Sequence, residues 1–251
     1  MNCYRIIFSP TGGTERVANA VTQDWPQVAT IDLSAPDTRY EDICLENDAL
    51  AAIAMPSFGG AAPQLALDRL AALKGSGAKC VIIAVYGNRA YENTLVQMED
   101  YARSAGFQVI AAVSAVAEHS IIHQYAAGRP SAEDCRELAG FGAQILEKAA
   151  SQTFSAPSIP GSRPYKTSGA GMIPKADSKC IACGLCVQKC PANAISAKDP
   201  KTTNKDRCIS CMRCVSICPA HARKVSSIMI AIAAKAIQKA CSVEKANELF
   251  L

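Results

Sequence analysis

The stretch CIACGLCVQKCP, residues 180–191, returns 28 residues later as CISCMRCVSICP, residues 208–219. Four cysteines and a closing proline hold the same spacing in each copy: Cys180, Cys183, Cys186, Cys190 and Pro191, then Cys208, Cys211, Cys214, Cys218 and Pro219. The offset also pairs Ile181 with Ile209, Val187 with Val215 and Ala192 with Ala220, so this is a duplicated half-module and not a chance crowding of thiols. Of the 13 cysteines in 251 residues, eight lie inside these two runs. Nothing near Met1 reads as a signal peptide, because Met1–Phe8 runs at once into the turn residues Ser9, Pro10 and Gly12. The expected compartment is the cytoplasm, where thiols stay reduced and clustered cysteines point to metal or redox chemistry instead of disulfides.

The spacing CxxCxxCxxxCP, present twice, resembles the run of bacterial ferredoxins. Three cysteines at two-residue gaps can wrap three irons of a cluster, while the fourth iron takes its ligand from the pseudo-symmetric run. The proline stops the preceding helix from extending. The resemblance implies two [4Fe–4S] clusters with crossed ligands: Cys180, Cys183, Cys186 and Cys218 for one, Cys208, Cys211, Cys214 and Cys190 for the other. Zinc sites set their CxxC pairs further apart and need four ligands per metal. The CxxxCxxC pattern of radical enzymes is not formed, since neither Cys190 nor Cys218 is followed by a third cysteine at that gap. Cys3, Cys44, Cys80, Cys135 and Cys241 lie in strand or helix patterns and read as small buried hydrophobes. His119, His123 and His221 have no partner motif and are given no ligand role.

Upstream of the repeat, short β-rich runs alternate with helix-compatible stretches, the pattern of βαβ units and a mostly parallel sheet. Strands are expected at Cys3–Phe8, Val28–Leu33, Leu50–Met55, Cys80–Val85 and Val109–Val116, with helices near Thr14–Trp25, Ala62–Leu73, Tyr91–Ser104 and Ser131–Ala150. The first strand runs into Ser9-Pro10-Thr11-Gly12-Gly13-Thr14, a loop of hydroxyls and glycines that opens a helix. Such a loop turns backbone N–H groups and the positive helix end toward a phosphate. It lacks the lysine of a nucleotide-triphosphate P-loop. It resembles the phosphate loop of flavodoxins. That resemblance implies an α/β doubly wound, flavodoxin-like five-stranded parallel sheet of order 2-1-3-4-5 that binds FMN at the carboxyl ends of its strands. The FMN residues it implies are Ser9, Thr11, Gly12, Gly13 and Thr14 at the phosphate. Pro56, Ser57, Phe58, Gly59 and Gly60 follow the third strand, and Tyr86, Gly87, Asn88, Arg89 and Tyr91 follow the fourth, beside the isoalloxazine. Phe58 and Tyr91 are the expected stacking residues. Many flavodoxins carry acidic residues after the third-loop glycine, where this chain has Asn88 and Arg89, so its fully reduced, anionic flavin is expected to be less destabilised.

Charge divides along the same line. Residues 1–150 hold 11 Lys and Arg against 17 Asp and Glu, and residues 151–251 hold 15 against 5, within a net charge of +4. A basic half raises the question of nucleic acid, but thiolate-bound clusters are anionic and the basic residues offset them, so no nucleic-acid partner is expected. Residues 151–171, rich in Ser, Pro and Gly, read as a linker. The units are then an FMN domain at 1–150, a small α+β dicluster ferredoxin domain at 172–224, and a docked C-terminal helix at 225–251 that presents Ile228, Ile232 and Ala236 to its contact. The long segment Glu118–Pro130 after the fifth strand lies at the same sheet edge as the flavin loops. The apolar run Ile228–Ala234 is much too short for a transmembrane segment. The whole resembles the fusions, in anaerobic microbes, of a flavodoxin-like domain with a two-cluster ferredoxin. Such a protein is expected to pass electrons between FMN and clusters to redox partner proteins. Two other readings stay open: an FMN-dependent reductase of a quinone or nitro compound, and a redox-sensing or assembly partner. No GxGxxG motif speaks for direct use of NAD(P)H.

Overall fold

The computed structural model describes residues 1–151, 155–169 and 171–251, so Gln152, Thr153, Phe154 and Ala170 of the expected linker lie outside the described residues. Five strands, β1 (Cys3–Ile7), β2 (Val28–Asp32), β3 (Leu50–Pro56), β4 (Lys79–Tyr86) and β5 (Gln108–Val116), lie within a residue or two of their expected bounds. They pair in parallel in the order β2-β1-β3-β4-β5. Strands β3 and β4 are buried along almost their whole length, which is why both read as unbroken apolar runs and not as alternations.

Helices α1 (Gly13–Val21) and α4 (Ala132–Ala150) cover one face of the sheet, and α2 (Gln64–Ala72) and α3 (Thr94–Ser104) the other. Ser131 and Asp134 cap α4 reciprocally, each side chain taking the other's backbone N–H. Where α4 meets α1, a methyl on Gly142 would stand 1.9 Å from the Val21 carbonyl oxygen, and the Trp25 indole donates to the Gly142 carbonyl at 3.1 Å. Glycine at 142 therefore sets how closely the two helices approach.

Beyond α4 the chain crosses α3. Ser162 N–H donates to Asn93 Oδ1 (2.9 Å), Arg163 pairs with Asp100 (2.6 Å) and Glu99 (2.8 Å), and Gln97 donates to the Lys166 carbonyl (2.8 Å). This connection is fastened along its course. The cysteine repeat follows, framed by the antiparallel pair β6 (Lys175–Ala176) and β7 (Arg223–Lys224), with the short helices α5 (Leu185–Gln188) and α6 (Arg213–Ser216) one per copy. Arg69 of α2 ties the module to the sheet domain, donating to the carbonyls of Leu33 (2.6 Å) and Pro191 (2.7 Å).

Helix α7 (Ser227–Cys241) lies on the 118–130 segment, packing Ile230, Ala233, Ala234, Ile237 and Cys241 against Ile121, Ile122 and Tyr125. The expected contact face is corrected here: Ile228 and Ile232 are 71% and 66% exposed. Residues at i and i+4 do share a face, but the stripe that meets the protein is offset from theirs by half a turn. The chain then returns to the sheet as a sixth strand, β8 (Glu248–Phe250), antiparallel to β5. Among the described residues no helix is long and apolar enough to cross a membrane.

Candidate functional site

The two cysteine runs repeat in conformation as well as in sequence. Left-handed backbone occurs at Ala182, Gly184 and Asn193 in the first copy and at Ser210, Met212 and His221 in the second, each pair 28 residues apart. Gly184 and Met212 start α5 and α6. The last cysteine of each run accepts a backbone N–H four residues on, Cys190 from Ala194 (3.3 Å) and Cys218 from Ala222 (3.4 Å). Two cavities result. One is lined by Cys180, Cys183, Cys186 and Cys218, and the other by Cys190, Cys208, Cys211 and Cys214. Each therefore gathers three cysteines of one run and the fourth of the other.

No carboxylate or imidazole lines either cavity, and a sulfur-only donor set is what an iron–sulfur cluster uses. Among the described residues no three His, Cys, Asp or Glu groups converge tightly enough for a single metal ion. In a cubane cluster each thiolate has its own iron, so wider spacing suits it. Burial pushes the Cys211 thiol up to about 12 and raises Cys186, Cys208 and Cys214, so these four thiols stay protonated until a cation replaces the proton, whereas at Cys218 burial is outweighed by backbone N–H groups, which lower its pKa.

At the carboxyl ends of the sheet strands lies a cleft with about 1190 Å³ of empty space. Its walls include Thr11, Gly13 and Thr14, then Pro56, Ser57, Phe58 and Gly59, then Tyr86, Gly87 and Arg89. Ser9 braces the first loop from behind, accepting the Glu15 N–H (2.9 Å) and donating its own N–H to Ser34 Oγ (3.0 Å). Gly12 is the left-handed N-cap of α1 and supplies no side-chain cap; around it and Gly59 an added methyl would meet nothing within 4 Å. First-turn N–H groups and open glycines form a cradle that fits a phosphate and the edge of a flat ring.

Four of the expected FMN residues besides Ser9 and Gly12 are placed by other contacts. Gly60, with φ +93°, lies under Glu92, whose carboxylate a methyl would strike. Asn88 turns into the protein, donating to the carbonyls of Cys241 (3.1 Å) and Val243 (2.9 Å) and accepting from Lys245 N–H (3.1 Å). Arg89 pairs with Glu92 at 2.7 Å while still lining the cleft. Tyr91 stands outside the cleft, edge-on to Tyr86 at 5.3 Å with its hydroxyl on Glu248 (3.2 Å). The aromatic rings that line the cleft are those of Phe58 and Tyr86.

Two further groups reach the cleft without a motif to announce them. His119 packs on Gly87, where a methyl would come within 2.7 Å of the imidazole. Its Nδ1 accepts from Ile121 N–H (3.2 Å) and Ile122 N–H (3.1 Å), and burial lowers its pKa, so the ring is neutral with its hydrogen on Nε2. The signal was the length of the segment after β5, not the histidine itself. The other group is Cys211, which with Ile209 lines both the cleft and the neighbouring cysteine cavity. The Cys180 cavity shares no lining residue with the cleft.

Residues 179–224 match the family model described as a 4Fe-4S dicluster domain. A search of curated proteins finds no match. Among solved structures the chain is similar to a flavodoxin of Streptococcus pneumoniae TIGR4, with 19% identity over 59% of this chain and 99% of that one at a TM-score of 0.41. It is similar also to a flavodoxin from the domain Archaea, with 17% identity over 60% and 100% at 0.44. Flavodoxin 1 from Bacillus cereus gives 15% identity over 59% and 98% at 0.42. The sheet order itself establishes the flavodoxin-like architecture. The chain joins that architecture to a ferredoxin-type 4Fe–4S module, the equipment of a redox protein.

Proposed function

We propose that this chain is an electron-transfer protein that relays electrons between a partner protein, two [4Fe–4S] clusters and FMN. The observation that carries the reading is the position of Cys211, in the wall between a four-cysteine cavity and the cleft that the phosphate loop opens. FMN exchanges one or two electrons and a cluster exchanges one, so joining them converts between the two kinds of traffic.

On this reading Ser9, Thr11, Gly12, Gly13, Thr14 and the α1 N-terminus hold the FMN phosphate. Pro56–Gly60 and the Tyr86–Arg89 turn border its ring system, Phe58 and Tyr86 flank it, and Asn88 and Tyr91 support that turn from behind. His119 offers a fixed N–H donor at the cleft. Cys208, Cys211, Cys214 and Cys190 hold the cluster next to the flavin, and Cys180, Cys183, Cys186 and Cys218 the outer one. Exposed Cys183 and Ile181, the latter 68% exposed, set the outer cluster at the surface, where a partner protein can reach it. The working units are residues 1–150, 172–224 and 225–251, acting in the cytoplasm.

Protein purified without oxygen is expected to carry about eight iron and eight sulfide ions and one FMN per chain. Rapid mixing with a one-electron donor is then expected to reduce clusters before flavin. Full iron with no flavin, or flavin reduced as fast in a Cys183→Ala variant that has lost the outer cluster, would count against the relay. A second reading, reduction of a quinone or nitro compound at the cleft, is favoured by the apolar wall of Ile121, Ile122, Ala233 and Ile237. Turnover of such an acceptor with no protein partner would select it.

A further inference from the structure

One cation lies deep inside the cysteine module. Arg223 of β7 is 2% exposed and is the largest of the fully buried side chains. Its Nη1 donates to the Pro200 carbonyl (2.9 Å) and its Nη2 to Thr203 Oγ1 (2.6 Å), while Nε is buried with no hydrogen-bond partner among the described residues. Its neighbour Lys224 takes Asp177 at 3.1 Å, and no described carboxylate pairs with Arg223. Arg223 lines the Cys180 cavity, and Thr203, the hydroxyl that holds it, lines the Cys208 cavity. The 28-residue offset puts Ile195 at the matching place in the first copy, so the repeat builds this cation once for two sites.

A buried, unpaired guanidinium is costly unless an anion answers it. We propose that Arg223 is the shared counter-ion of both clusters, raising the reduction potential of each through its fixed charge and its free N–H. The inference rests on the reading that both cysteine cavities hold clusters. Reduction adds one electron to a group that is already anionic, and a cation held in a medium of low dielectric favours the more negative state. Placed between the two sites, one charge shifts both in the same direction.

The test is a dithionite titration of the full-length protein followed by electron paramagnetic resonance, with iron and sulfide counted in every sample. Arg223→Gln is expected to lower both midpoint potentials, and Arg223→Lys to lower both by less. A loaded Gln variant in which neither potential moves, or only one, overturns the proposal. If the Gln variant does not retain its clusters, the same criterion applies to the Lys variant. A measurement on the unaltered sequence stands beside these: with isotope-labelled arginine, the reduced clusters are expected to show a hyperfine coupling to an arginine nitrogen. Absence of that coupling from both clusters overturns the proposal. Parent protein without iron would instead defeat the cluster reading itself.

Discussion

Asn88 and Arg89 are adjacent in one turn and do different work. Asn88 binds three backbone groups of residues 241–245, so Asn88→Ala is expected to cost about 2–4 kcal/mol, at about 1 kcal/mol for each buried hydrogen bond. Faster amide exchange in residues 242–250, with the sheet unchanged, would register it. Arg89 keeps one edge on the cleft, and with FMN bound Arg89→Asp is expected to lower the potential of the last flavin reduction step; a redox titration showing a higher potential would contradict this. His119 gives a pH dependence. Burial holds its folded pKa below the usual value, so below about pH 6.5 the unfolded chain takes up a proton that the folded chain resists, and stability falls as pH drops through that window. Protonation also removes the acceptor for the Ile121 and Ile122 N–H groups. With the intrinsic pH dependence of amide exchange divided out, protection in residues 118–130 is therefore expected to be lower at pH 5 than at pH 8 in the parent, and much less so in His119→Gln. The cysteines were legible in sequence because ligand spacing is a one-dimensional signal. His119, Arg223 and the choice of Tyr86 over Tyr91 as the ring that lines the cleft were not, because their placement depends on which strand ends and loops the fold brings together.

Elements were legible where burial is uniform. Parallel strands covered on both faces leave unbroken apolar runs, as β3, β4 and most of β5 do, whereas the edge strand β2, largely exposed, is marked only by its β-branched residues between turns. Helix α1 was read as far as Trp25 but stops at Val21; Trp25 keeps the apolar periodicity only because it reaches α4 from the turn beyond the helix. Strand β8 is three residues long, and its pairing partner is more than a hundred residues away in sequence, so no local pattern marks it. Two substitutions test the packing of elements. Gly142→Ala forces α1 and α4 apart and is expected to destabilise the fold by about 1–3 kcal/mol or more, seen as a lower melting temperature. Ala182→Gly, at an exposed left-handed position in the first cysteine run, is expected to stabilise the module by about 1 kcal/mol, seen as slower loss of cluster absorbance in denaturant. Its second-copy equivalent, Ser210, lies in the wall of the cleft, so the first copy offers the cleaner measurement.

At the scale of the molecule, the cysteine module is enclosed by the sheet domain and not merely appended to it. The chain leaves the sheet after α4, builds both cysteine cavities, lays α7 on the 118–130 segment, and returns as β8 on the edge of β5. Asn247 locks the return, accepting from Val116 N–H (2.9 Å) and donating to Asp134 (3.0 Å) and Glu137 (2.6 Å). Arg129 donates to the Lys245 carbonyl (2.6 Å) and holds the Asp134 carboxyl well below the usual carboxylate range. The module is thus gripped at entry by the Arg163 contacts, at its side by Arg69, and at exit by this network. Deletion of residues 242–251 removes only the exit. It is expected to leave iron and sulfide content intact, to open α7 to proteolysis, and to slow electron transfer between clusters and flavin, because the distance from Cys211 to the cleft is no longer held from both sides. Unchanged transfer rates with α7 already cleaved would show that Arg69 and the 155–169 crossing suffice to hold that distance, and that the returning strand serves the stability of the sheet edge instead.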